Sequence, residues 1–243
     1  VNMKSGVLSE IKSEPSLTDR VRDSIREAII DGQLVPGSLH SVQSLANVFK
    51  VSRTPVREAL IDLAGADMVE FEKNRGVRIL QTSVHDLEEI LVLRILLEVP
   101  ATFRAASLID EAGLKELKIE LKTMSQAAKA KDEATMMHHD RRFHEIINGA
   151  SGNSRLTEYV DSLRDLILTR GVSTVDTTRS LKEIVTEHRA ILSGLESGDA
   201  DAAAQAMKEH LVSTSSLLLE QEGGRDSALG LGWEGLVVGE SKS

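Results

Sequence analysis

Asp140 and His144 stand four residues apart in a stretch of helical composition, so their side chains project from one face. His188 and His210 sit on two later helical segments, each on the inward stripe. One aspartate and three histidines form an oxygen and nitrogen donor set suited to a divalent transition metal: zinc first, with nickel, manganese or iron as alternatives. Four such ligands leave one or two positions on the ion for water or a carboxylate. Spacing alone leaves other readings open. Asp140 and His144 could be a simple i,i+4 pair, and helical histidines are often plain core or surface residues. A hydrolase that activates metal-bound water is a further reading. Glu145 and Glu187 adjoin the ligands, but neither has independent support as a general base. His40, His85, His138 and His139 are expected to face solvent.

A second constellation is cationic. Arg53, Thr54 and Arg57 open a short helix, the end at which a recognition helix presents its donors to base edges. Arginine reads guanine O6 and N7, and threonine contacts phosphate or a thymine methyl. Lys73, Arg75 and Arg78 lie in or beside a glycine-containing turn, where they would neutralise phosphates or enter the minor groove. The plainer alternative is a solvated cationic face paired with Glu58 and Asp62.

The elements that must position these groups follow from periodicity. Leu17, Val21, Ile25, Ala28 and Ile29 repeat at helical spacing, and Gly32 ends that helix. Val42, Leu45, Ala46 and Phe49 form a second, short helix. Thr54 is expected as the N-cap of a third, with Pro55 at its first position and Val56, Ala59, Leu60 and Leu63 as its buried stripe. Met68–Phe71 and Val77–Leu80 read as strands of a hairpin. Three short helices and a hairpin make a winged helix-turn-helix over residues 12–81.

Beyond Gln81 no strand pattern appears. Ser83 and Asp86 form a capping box ahead of a long helix that Pro100 should bend or interrupt. Further helices are expected over 111–130, 131–149, 153–170, 178–197 and 199–222, with Asn153 and Asp199 as N-caps. Residues 83–222 thus read as an all-α antiparallel bundle, and 223–243 as a loose tail. The fold is mainly α.

Bulk properties narrow the classes. The chain has no cysteine, which removes disulfides and thiolate chemistry and fits a cytoplasmic protein. No apolar run is long enough for a membrane span, and residues 1–10 lack a signal-peptide core. The net charge of −9 is unevenly placed. Residues 1–81 hold 11 basic and 11 acidic side chains, so the whole excess of acid lies beyond them. A neutral first part still binds phosphates if its cations share one face.

The run Val51-Ser52-Arg53-Thr54-Pro55-Val56-Arg57-Glu58-Ala59-Leu60 resembles the recognition-helix motif of the GntR family of regulators. Ala28 to Gly37 resembles that family's first helix and turn, and Asn74-Arg75-Gly76-Val77 its wing. Asp67-Met68 stands where relatives carry Gly-Leu. The second part resembles the FCD subfamily, the FadR-like C-terminal domain. It does so through Leu93-Arg94-Ile95-Leu96-Leu97-Glu98, Asp140-Arg141-Arg142-Phe143-His144, Glu187-His188-Arg189-Ala190-Ile191 and His210-Leu211. The resemblance implies a homodimer on a palindromic double-stranded operator. It implies a regulator and not an enzyme, acting as a repressor that responds to a small carboxylate. It also fills all four metal positions: Asp140, His144, His188 and His210. Arg94, which equally reads as a buried partner of Glu98, is then a candidate to reach the effector carboxylate, and Arg170 is a second. A DNA-binding protein with a purely structural metal is the remaining alternative.

Overall fold

The computed structural model describes residues 15–169 and 179–221. Contacts divide the chain into two compact units, residues 1–81 and 82–243. No helix among the described residues is long and apolar enough to cross a membrane.

In the first unit, α1 (Leu17–Ile30) begins at a capping box of Ser16 and Asp19 and buries Val21, Ile25 and Ile29. α2 (Val42–Phe49) is capped by Ser41 and ends on Lys50 in the left-handed region. α3 (Arg53–Gly65) buries Pro55, Val56, Ala59, Leu60 and Leu63, and both α1 and α2 pack on it. Thr54 is not its N-cap. Ser52 takes that position without a side-chain hydrogen bond, and Pro55 is the third helical residue. The shift costs little, because no N–H in the first turn has a partner within the helix.

β2 (Val69–Glu72) and β3 (Gly76–Ile79) form the hairpin, with Phe71 opposite Val77. Each strand is displaced by one residue from the sequence expectation. Met68 is buried beside the ladder, where its carbonyl accepts from Leu80 N at 3.0 Å. Asp67, at the position where relatives have glycine, adopts φ +55°. An aspartate tolerates that region better than most side chains. A third strand was not legible in sequence: β1 (Leu39–His40) pairs with the other edge of β3. Two residues carry no periodicity to detect. Gly76 is required here, since a Cβ would run into the backbone of His40.

The second unit is a bundle of α4 (Val84–Leu108), α5 (Glu111–Ala130), α6 (Glu133–Ala150), α7 (Ser154–Thr169), α8 (Leu181–Ser197) and α9 (Ala200–Gln221). The Ser83–Asp86 capping box is formed, and the carboxylates or amides of Asn153 and Asp199 cap α7 and α9. Pro100 does not interrupt α4, which runs through it. Pro100 is exposed while Val99 and Ala101 are buried. The carbonyl that Pro frees belongs to the half-buried Leu96, four residues back on the same side of the helix. α4 packs on α6, α7 and α9, and α5 packs on α6 and α8. Phe143, Met136, Ile147, Leu117, Met124 and Met207 are fully buried in the shared core. α8 and α9 approach so closely that a Cβ on Gly194 would lie 2.5 Å from Ala203 N.

Candidate metal centre and nucleic-acid interface

The helical spacing brings Asp140 and His144 of α6 to the centre of the second unit, with His188 of α8 and His210 of α9 facing them. All four are buried, and one potential ligand atom from each lies within 4.8 Å of the others. The ring centroids of His188 and His210 are 4.5 Å apart, and those of His144 and His210 5.3 Å.

Each imidazole is held through Nδ1. His144 Nδ1 donates to Glu98 Oε2 at 2.5 Å, His188 Nδ1 to the Ile184 carbonyl at 2.8 Å, and His210 Nδ1 to Glu187 Oε2 at 2.7 Å. Carboxylates and carbonyls only accept, so the protons sit on Nδ1 and leave Nε2 as a lone-pair donor. This is the support that metal-ligating histidines receive from outside the coordination sphere. His144 Nε2 and His188 Nε2 are buried with no hydrogen-bond partner. His188 Nε2 lies 2.9 Å from Asp140 Oδ1, but without the alignment of a hydrogen bond. Orphaned buried nitrogens of this kind cost about 1–3 kcal/mol each, a cost that a cation would relieve. Ligands about 2.1 Å from one ion are at most about 4.2 Å apart. The widest pair therefore closes by roughly half an ångström or more to hold one. The donor set fits a divalent transition metal.

The electrostatics agree. Burial and the neighbouring His188 and His144 hold His210 well below the usual histidine range. Burial also lowers His144, against the opposing pull of Glu98. Both rings are thus neutral, the form that ligates. Burial tends to raise Asp140, but the Arg164 guanidinium outweighs it and holds the carboxyl well below its ordinary value. Glu98 is depressed in the same way, with Arg94 and then His144 overcoming burial.

Beside the cluster is a cavity of about 180 Å³, lined by Asp140, His210 and the side chains of Arg94, Arg164 and Arg179, with Ile167 and Leu218 among its apolar walls. Arg94 is buried and donates to Glu98 at 2.7 Å, so it is at once a partner of Glu98 and part of the cavity wall. Arg170 lies outside the described residues. Arg164 and Arg179 were missed in sequence, because each reaches the site only through the packing of α7 and the lead into α8. His139 is not simply solvent-facing: it is half-buried and bonded to Glu120 at 2.5 Å. His40 is also partly buried, against Ser38.

In the first unit, Arg53, Thr54 and Arg57 are exposed on the first turns of α3. Neither arginine makes an ion pair among the described residues. Glu58 is drawn toward α1 by Thr18, whose hydroxyl donates to it at 2.9 Å. Lys73 and Arg75 are exposed at the hairpin turn, with Arg75 2.8 Å from Glu72. Arg78 is more enclosed, donating to the same Glu72 and to the carbonyl of Gly37.

Residues 89–213, just over half of the chain, match the FCD domain, and residues 17–79 match the bacterial regulatory proteins of the gntR family. The chain belongs to the gntR family, in its FCD branch. It is a DNA-binding transcriptional regulator, in a family of regulators rather than enzymes, and the hydrolase reading falls. Among similar proteins, the HTH-type transcriptional regulator LutR of Bacillus subtilis is 29% identical over 211 residues, 78% of this chain and 95% of its own length. The HTH-type transcriptional repressor RspR of Escherichia coli is 24% identical over 218 residues, 89% of this chain and 96% of its own. The solved structure of E. coli McbR/YncC has the same fold, with a TM-score of 0.74 at 23% identity over 85% of this chain and 99% of that one. Asp67 and the paired state of Arg78 are features of this gntR-family wing that its sequence motif does not convey.

Proposed function

We propose that this regulator is a metabolite-responsive repressor whose residues 12–81 bind a palindromic operator and whose residues 83–222 hold a metal, a small organic acid and a second copy of the chain. The observation that carries the reading is the cluster of Asp140, His144, His188 and His210, with each Nδ1 anchored and two Nε2 atoms left without partners. A divalent transition metal there, zinc first, would supply a Lewis-acidic attachment point for a carboxylate. Arg94 helps fix the occupied cavity through Glu98. Arg53, Thr54 and Arg57 enter the major groove, while Lys73, Arg75 and Arg78 serve the wing. Ligand binding favours one arrangement of the dimer over another and so alters the spacing of the two recognition helices relative to their half-sites. A coupling of about 1–3 kcal/mol changes operator occupancy some 5- to 150-fold.

The test is selection of bound sequences from a random duplex pool, followed by gel shifts of the selected site with zinc, chelator and a panel of small acids. A palindromic site, and an acid response that the chelator abolishes, are expected. An acid response that survives complete metal removal contradicts the effector role of the metal. A folded Arg53→Ala/Arg57→Ala variant that still enriches the same site contradicts the interface.

A further inference from the structure

Three of the cavity arginines, Arg94, Arg164 and Arg179, are tied to the metal cluster directly or through one carboxylate, and the ties differ in how far they can yield. Arg94 holds Glu98, which is wholly buried and bonds His144. Arg164 pairs directly with Asp140. His188 leans on a backbone carbonyl. The His210 arm is different: its carboxylate, Glu187, keeps 26% of its side chain exposed. A single oxygen, Glu187 Oε2, accepts from Arg179 Nη1 at 2.7 Å and from His210 Nδ1 at 2.7 Å. Arg179 Nη2 also donates to Thr214 Oγ1 at 3.1 Å, and that hydroxyl donates to the His210 carbonyl at 2.9 Å. Arg179, Thr214 and His210 all line the cavity.

Resting on the reading of the cluster and cavity above, we propose that Arg179 is the positioning residue that registers an acid in the cavity and transmits its presence to the metal centre through Glu187. A carboxylate that engages the Arg179 guanidinium draws it from Glu187 Oε2. Glu187 then accepts the His210 Nδ1 proton more strongly, which makes His210 Nε2 a better metal donor. Acid and metal therefore bind synergistically, and linkage requires each to raise the other's affinity by the same factor.

The two attachment points name the class of acid. The cavity wall carries Asp140 and His210 of the candidate metal cluster together with Arg179. A metal there would take one acid group and the Arg179 guanidinium a second. An occupant with two acid groups reaches both. The cavity of about 180 Å³ is slightly larger than the roughly 150 Å³ void that accommodates benzene. That is the size of a four-carbon dicarboxylate.

The experiment titrates the metal-free protein with zinc against a chromophoric chelator, alone, with succinate, and with butyrate as the singly charged control. In the parent protein succinate is expected to tighten zinc binding about tenfold or more and butyrate only slightly. Arg179→Gln, which frees Glu187 from the guanidinium, should bind zinc more tightly than the parent in the absence of acid and lose the further succinate effect. Arg179→Lys, the substitute if the glutamine variant fails to fold, should show a reduced effect. Glu187→Gln should weaken zinc binding about 10- to 100-fold with or without acid. An undiminished succinate effect in both Arg179 variants overturns the proposal, as does a parent protein whose zinc affinity ignores succinate. A parent protein that binds no zinc overturns the metal-centre reading itself and this proposal with it.

Discussion

Arginine has opposite roles in the two units. On α3, Arg53 and Arg57 are exposed and make no ion pair among the described residues. Around the candidate metal centre, Arg94, Arg164 and Arg179 are buried, each against a carboxylate. A cation available to a nucleic acid has to keep its donors free, because affinity comes from displaced counterions and new contacts. A cation inside a bundle persists only when its charge is matched, because the unmatched charge costs several kcal/mol. The same substitution should therefore cost binding in one unit and folding in the other.

The largest effect is expected where a buried match is broken. Glu98→Ala leaves Arg94 and the His144 Nδ1 proton without an acceptor and should destabilise the protein by about 3–5 kcal/mol, read from denaturant unfolding of the metal-free form. A loss under 1 kcal/mol would erase the contrast between the units. Arg57→Ala should instead leave the unfolding midpoint unchanged and cost about 1–3 kcal/mol of operator binding, with relaxed specificity at one base position. Competition gel shifts against single-base operator variants measure both. Gly194→Ala tests whether packing, as well as charge, holds the second unit. With Ala203 N only 2.5 Å from the new Cβ, overpacking should cost about 1–3 kcal/mol and shift thermal unfolding without touching DNA contacts directly. The smallest effect belongs to Lys73→Ala. It should weaken binding about evenly across sequences and lower the salt slope by about one, as a titration at several salt concentrations would show.

The parts of the site that were legible in sequence are those set by local spacing. Asp140 and His144 share a face because four residues make about one helical turn, and the Ser83–Asp86 box is formed as written. α3 was legible for the same reason, apart from its first residue. The cap moved from Thr54 to Ser52 because nothing in the local sequence distinguishes two hydroxyls this close together. Pro100 was misjudged because the cost of a proline depends on which side of the helix meets water, which only packing settles. The tail at 223–243 and Arg170 lie outside the described residues.

Sequence alone determined roughly where the helices run, which of their faces are apolar, and that Asp140 and His144 share one face. Short-range sterics and the alternation of apolar side chains act within a few residues, so they are written along the chain. Tertiary structure alone decided the partners. Glu98 meets His144 across 46 residues, Arg164 meets Asp140 across 24, and Arg179 meets Glu187 and Thr214 across 8 and 35. Burial obliges every charge to find a match, but which match it finds depends on how helices distant in sequence come to lie side by side.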